Sequence, residues 1–187
     1  MAEIEKDHRI CGERVYIRPI THLDTNLIIK WRNSENVKKY FIYREPFTRE
    51  GHIKWLKEQV DTKNAYQFIV CKIENDEPIG CTYLRDIDLN DKKAEYGVFI
   101  GEVTERGKGI GKEALSLTLN FAFKELRLHK VFARALSDNE ASIHCFLQSG
   151  FIKEALLRDD VFVEEEYHDI VLVGILQSDY EMRRENL

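Results

Sequence analysis

Apolar residues recur with a period of two in some stretches of this chain and at helical spacing in others. Val15-Tyr16-Ile17-Arg18-Pro19-Ile20 reads as a first strand, closed by Pro19. Asp24 is placed to cap a helix carrying Leu27, Ile28 and Trp31, and Thr48-Arg49-Glu50-Gly51 opens another with Ile53, Leu56 and Val60 on one face. Tyr66 to Ile73 and Pro78 to Leu84 read as a hairpin across Glu74-Asn75-Asp76-Glu77, followed by a charged loop from Asp86 to Lys93. Ala94 to Ile100 is the next strand, whose parity puts Glu95, Gly97 and Phe99 on one face and Tyr96, Val98 and Ile100 on the other. A helix from Glu113 to Leu126 carries Ala114, Leu115, Leu119, Ala122 and Leu126, and Lys130 to Leu136 alternates as a strand. A short helix from Asn139, a strand from Phe151, a turn at Glu164-Glu165-Glu166 and a last strand from Tyr167 to Leu176 complete the order. This succession predicts an α/β fold with a mixed sheet. No repeat, low-complexity stretch or linker divides it, so one domain over 1–187 is expected.

The length of 187 residues suffices for a buried core, and 43% hydrophobic with 33% charged residues is ordinary for a globular protein. No apolar run approaches the roughly 20 residues of a membrane span, and Met1-Ala2-Glu3-Ile4-Glu5-Lys6-Asp7 lacks the apolar core of a leader, so the cytoplasm is the expected compartment. The formal charge of −5 disfavours nucleic acid as a partner. Cys11, Cys71, Cys81 and Cys145 form no C-x-x-C pair. Cys71 and Cys81 are placed to face each other across the hairpin, with free thiols preferred to a disulfide, and no metal site is expected.

Arg106-Gly107-Lys108-Gly109-Ile110-Gly111 lies between the Ala94 strand and the following helix, in a stretch holding five of the ten glycines (97, 101, 107, 109 and 111). Glycines spaced by two at a helix start uncover backbone N–H groups. With the helix dipole and Arg106, Lys108 and Lys112, they make a pocket for a pyrophosphate. The spacing is neither G-x-G-x-x-G nor a Walker A loop, since Lys112 precedes Glu113. A second segment, Asn139-Glu140-Ala141-Ser142-Ile143-His144-Cys145-Phe146-Leu147-Gln148-Ser149-Gly150-Phe151, is an Asn opening a short helix that ends in Gly-Phe.

The two segments together, in this order and separation, resemble the acetyl-CoA-binding motifs of the GNAT superfamily of N-acetyltransferases. The likeness spans nearly the whole chain. It implies a GNAT fold: a mixed, mostly antiparallel sheet flanked by helices, with a splayed central strand pair. Gly150-Phe151, Glu154, Arg158 and Tyr167-His168-Asp169 resemble the ribosomal-protein N-terminal acetyltransferase-like subgroup, with Ala155 where a Gly is common. Trp31-Arg32-Asn33 and His52-Ile53-Lys54-Trp55-Leu56 resemble a branch that acetylates nucleotide-linked amino sugars.

The resemblance implies acetyl-CoA as acetyl donor, no metal, and a primary amine as acceptor. A nucleotide-linked amino sugar leads, with a protein N-terminus or a polyamine behind. A homodimer is left open, as are a catalytically silent acyl-CoA-binding module and an unrelated nucleotide-binding domain. Attack by an amine needs a base, because an alkyl ammonium titrates at roughly 10.4. Glu95 is the candidate, against a plain strand-end ion pair. The resemblance assigns the backbone of Phe99, Ile100 and Gly101 to the pantetheine arm. It assigns 106–112 (Arg106, Gly107, Lys108, Gly109, Ile110, Gly111 and Lys112) to the pyrophosphate. Asn139 is assigned to the cofactor arm, although Ser137-Asp138-Asn139-Glu140 also has capping-box spacing. Phe146 stands where many members carry the Tyr that protonates the departing thiolate. The acid is therefore unassigned, with Cys145, Ser149 or water as substitutes, while Phe146 packs on the pantetheine. Arg32 and His52 are the candidate acceptor contacts. Trp31 and Trp55 read as core, and His144, His168 and His52 alike as surface or satisfied structural histidines, a reading that for His52 stands beside the acceptor contact.

Overall fold

The computed structural model describes residues 8–185; the N-terminal heptad used above lies outside them. The elements run β1 (Ile10–Cys11), β2 (Val15–Pro19), α1 (Thr25–Arg32), α2 (Glu35–Lys38), α3 (Arg49–Trp55), β3 (Tyr66–Lys72), β4 (Pro78–Asp88) and β5 (Lys93–Ile100). They continue with α4 (Ile110–Asn120), β6 (Lys130–Leu136), α5 (Glu140–Gln148), β7 (Ile152–Val163), β8 (Glu166–Leu176) and α6 (Gln177–Glu185). The strands form one sheet in the order β1-β2-β3-β4-β5-β6-β8-β7, antiparallel except for β5 against β6. The expected α/β class, with a mixed and mostly antiparallel sheet, is what forms.

Alternation along the strands divides the core between the two faces of the sheet. Tyr66, Phe68 and Val70 of β3 join Ala114, Leu115 and Leu119 of α4 on one face. Ile69 and Cys71 turn to Ile28 and Trp31 of α1 on the other. Leu115 is fully buried, and its truncation to Ala would cost about 2–5 kcal/mol.

The position of the site depends on where β5 and β6 part. They pair only through Lys93–Lys130, Ala94–Val131 and Glu95–Phe132. Beyond that point β5 stays with β4 as far as Ile100–Gly80, and β6 stays with β8 as far as Leu136–Ile170. The gap that opens is the expected splay. Aromatic packing occupies β5 on its α1 side: a Cβ on Gly97 would meet the Tyr83 ring at 2.1 Å, and one on Gly101 the Trp31 indole at 2.3 Å. These two glycines are accounted for by ring packing rather than by an anion.

Several expectations are corrected. α4 begins at Ile110, three residues before Glu113, so Gly111 and Lys112 lie in its first turn. β4 runs on to Asp88 and shortens the expected 86–93 loop. Asp24 does not cap α1; its carboxylate accepts from Arg18 at 2.7 and 2.9 Å and from the Thr21 N–H at 2.8 Å. Cys71 lies opposite Pro78 and Cys81 opposite Ile69, so the two thiols do not face each other, and both are free. β1, α2 and α6 carry no amphipathic repeat long enough to declare themselves. Among the described residues, no helix is long and apolar enough to cross a membrane.

Candidate active site

A cleft of about 1070 Å³ runs along the splay, from the start of α4 to the space beneath α1 and α3. Its donor end is made of backbone. Gly107 and Gly109 have φ of +74° and +78°, in the left-handed region where a β-branched residue is strained. Gly109 is the N-cap of α4. Cβ atoms on Gly107 and Gly111 would point into open space. The exposed amides of an eleven-residue helix, with its dipole and Lys112 on the cleft wall, fit a pyrophosphate. Glu113 braces this loop from behind. Its carboxylate accepts from the backbone N–H of Glu13 and Arg14 at 2.8 Å, and Arg14 in turn donates to the Lys108 carbonyl at 2.5 Å.

Two loop cations also have partners within the protein. Arg106 donates to the Ile100 carbonyl from Nε and Nη2 at 3.0 and 2.8 Å, and to the Asn36 carbonyl from Nη1 at 2.8 Å. It ties the end of β5 to α2 and also lines the cleft. Lys108 pairs with Glu105 at 3.1 Å and faces a smaller hollow beside Arg14 and Lys72. Backbone alternation also revises the pantetheine contacts. The Gly101 N–H donates to Ile79 at 2.8 Å, so the alternation of an antiparallel pair turns Phe99 toward β4 and Val98 and Ile100 toward the gap. Gly101 and Phe99 therefore spend their backbone on β4. The Phe99 ring meets Trp31 and Phe41 edge-on at 6.1 and 5.6 Å. Asn139 caps α5 by accepting the Ser142 N–H at 3.3 Å and also lines the cleft. Ser137 is not the cap. Phe146 is buried, edge-on to Tyr96 at 6.0 Å and tilted on Phe151 at 5.2 Å.

The acceptor end is made of side chains from many elements. Glu95 is buried, held by Arg85 (Nη2 to Oε1 2.9 Å, Nε to Oε2 3.3 Å) and approached by Arg134 at 3.6 Å. Arg32 lies on the Phe41 ring at 3.3 Å, donates to the Tyr43 carbonyl at 3.3 Å, and leaves Nη1 buried without a partner. Burial pulls Arg32 down to about 10, still a cation at neutral pH. His52, 1% exposed, sits between Phe47 and Trp55 with both ring nitrogens unpartnered. Burial lowers it to about 4, so it is neutral. Gln67 donates to Cys81 Sγ at 2.9 Å and keeps Oε1 unpartnered. Among the cleft-lining residues the carboxylates are Glu95 and Glu105, and both are already paired with cations.

The cleft thus brings Arg32, His52 and Glu95 to one end and Gly107, Gly109, Ile110, Gly111 and Lys112 to the other, with Asn139 and Phe146 between. Tyr83, Arg85 and Arg134 escaped the sequence reading because each is an ordinary strand residue whose importance depends on its neighbours across the sheet. His144 is exposed on α5, and His168 contacts the Val163 carbonyl at 3.3 Å.

The cradle, the splay and the paired clusters define a fold and site of the acyl-CoA-dependent transferase kind. Comparison with known proteins makes the assignment firm: residues 14–152 match the model of the acetyltransferase (GNAT) domain, and the chain belongs to that family. It is an acetyl-CoA-dependent N-acetyltransferase. Similar proteins include the spermidine N(1)-acetyltransferases of Vibrio cholerae and Escherichia coli. The first is 26% identical over 93% of this chain and 99% of that protein, the second 25% identical over 89% and 88%. The crystal structure of the Vibrio cholerae enzyme with CoA and spermine superposes with a TM-score of 0.83 at 24% identity, over 90% of this chain and 98% of that one, a likeness of fold.

Proposed function

We propose that the acceptor is a small primary amine whose far end carries an anionic group, with a nucleotide-linked amino sugar the leading case. Arg32 carries this reading. It is a cation on the acceptor wall with one nitrogen unpartnered, in a cleft whose carboxylates are already neutralised by arginine and lysine. A guanidinium in that position suits a phosphate or carboxylate through its planar donors. Glu95 is the proposed base. Its Oε2, with the longer 3.3 Å contact from Arg85, is the oxygen with room to accept a proton from the amine or from an intervening water.

A polyamine is the second reading, and the relatives favour it: two of them are named spermidine N(1)-acetyltransferases. Against it, the spare ammonium groups of a polyamine would meet Arg32, Arg85 and Arg134, with no unpaired carboxylate among the described residues of the cleft. The test is relative kcat/KM for nucleotide-linked amino sugars, spermidine and short peptides with free N-termini. The expected order puts the amino sugar first. A clear win for spermidine would replace the acceptor and leave the fold, the cofactor and the chemistry in place.

A further inference from the structure

Three adjacent strands present a row of charges to the acceptor end of the cleft. Arg85 of β4 lies opposite Glu95 of β5, and Glu95 lies beside Phe132 of β6 in the last pair before the splay. Arg134 is two residues beyond Phe132, so it projects from the same face of the sheet, across the gap from Glu95. Both guanidiniums converge on one carboxylate oxygen: Arg85 Nη2 is 2.9 Å and Arg134 Nε 3.6 Å from Glu95 Oε1. Their donors are committed differently. Arg85 gives Nε and Nη2 to Glu95. Arg134 makes no hydrogen bond among the described residues. Its separations from Glu95 and from Asp160 Oδ2, 3.6 and 3.8 Å, are ion pairs beyond hydrogen-bond reach. The Arg134 side chain is 33% exposed and lines the cleft. Asp86 and Asp160 stand behind the two arginines and are not part of the cleft wall, which therefore shows two cations around one buried carboxylate.

An amine that enters as a plain ammonium meets two guanidiniums and a carboxylate they already hold. An amine with its own carboxylate alongside brings the anion that this row lacks. We propose that Arg134, with Nη1 of Arg85, binds a carboxylate on the amine-bearing carbon of the acceptor or on the next carbon, which makes Arg134 a specificity-determining residue. This role rests on Glu95 being the base and on an acceptor that carries an anion. The order cation, anion, cation along the wall complements a zwitterion. The ammonium faces Glu95 Oε2, and the carboxylate faces the uncommitted donors of Arg134, whose planar fork suits a two-oxygen anion. Holding the acceptor at two adjacent points fixes the direction of its nitrogen, which is what attack on a thioester requires. The acceptor class narrows to α- or β-amino carboxylates, whatever anion meets Arg32 at the far end. A nucleotide-linked amino sugar belongs to it when a carboxylate neighbours the amine.

Two matched pairs of amines differ only in that carboxylate: O-phosphoserine against phosphoethanolamine, and glutamate against 4-aminobutyrate. Each pair keeps the far anion constant. In the parent protein, kcat/KM for the carboxylated member should exceed that for its partner by roughly 10- to 100-fold, the scale of a hydrogen bond to a charged group. Arg134→Met keeps the length and removes the charge. It should bring the ratio to within about threefold by slowing the carboxylated member alone. Arg134→Lys, with the charge but not the fork, should retain part of the preference. A readout without turnover is the calorimetric Kd of O-phosphoserine for the CoA-bound protein. It should weaken by about the same roughly 10- to 100-fold in Arg134→Met, with CoA affinity and melting temperature unchanged. A ratio near one in the parent would overturn the role of Arg134. So would an equal loss for both members of a pair in Arg134→Met, or neither turnover nor binding of any of the four amines. Wild-type turnover in Glu95→Gln instead removes the base and leaves the ratio standing. Spermidine outrunning all four amines, with the ratio intact, removes the far anion alone.

Discussion

The two ends of the cleft are built from different material. At the donor end, 107–112 forms a wall of backbone amides at the start of one helix, with Lys112 the side chain that adds charge. At the acceptor end, Arg32, His52, Gln67, Arg85, Glu95 and Arg134 come from α1, α3, β3, β4, β5 and β6. A backbone wall requires missing side chains at short spacing, and that requirement is written locally. A side-chain wall requires distant residues to converge, and each of them is free to vary in type. On the proposed reading, the backbone end suits one fixed ligand and the side-chain end is where acceptor selectivity would be set.

Substitutions at each end sharpen the contrast. The largest effect is expected at Glu95: Glu95→Gln should lower kcat by about 10²–10⁴-fold with acetyl-CoA affinity nearly unchanged. The loss should shrink at high pH, where more of the amine is already neutral. Wild-type turnover across the pH range would remove Glu95 from the mechanism. At the donor end, Gly109→Val forces a β-branched residue to a φ of +78°. If the free loop relaxes to relieve strain of about 1–3 kcal/mol, binding must restore it, and the calorimetric Kd for CoA should be roughly 10- to 100-fold weaker. Unchanged affinity in the folded variant would break the backbone-cradle account.

His52 supplies a pH signature for the acceptor end. Its folded value, about 4, lies below its ordinary 6.5 because burial disfavours the charged form. The unfolded chain therefore binds the proton first. The stability of the neutral ring is fully present above about 6.5 and is lost as pH falls toward 4, on the order of 2 kcal/mol after screening. Melting temperatures of the parent and His52→Phe, measured from pH 7 to 4.5, should show the parent losing stability relative to the variant on acidification. Parallel curves would show that His52 does not titrate in this way. The smallest effect is Gly111→Ala. In the first turn of α4, with open space at its Cβ, the change should stabilise the free protein by about 0.4–1 kcal/mol. A fall in CoA affinity in that variant would then report contact with the ligand alone.

Much of the architecture was legible because its causes are periodic. The alternation of 94–100 gives β5 and its two faces, and the spacing of Ala114, Leu115 and Leu119 gives the buried stripe of α4. The start of α4 was misplaced because Ile110-Gly111-Lys112 looks like loop until the chain is folded. Only then does Gly109, in the left-handed region, prove to be the N-cap. Asn139 satisfies both of its expected positions at once, cap and cleft wall, and sequence spacing could not separate them.

The sequence by itself determined the order of the longer elements, the glycine cradle and the pairing of the cradle with the α5 motif, since each is a local pattern of residue types. Tertiary structure decided what each charged or aromatic side chain does. Arg106 became a clip on the Ile100 carbonyl, and Lys108 turned away to Glu105. Arg85 and Arg134 closed on Glu95, while Gly97 and Gly101 made room for Tyr83 and Trp31. Tyr96 was buried edge-on to Phe146. The reason is that backbone conformation is set within a few residues, whereas a charge or a hydroxyl acquires its role from whatever the fold carries to within about 3 Å of it.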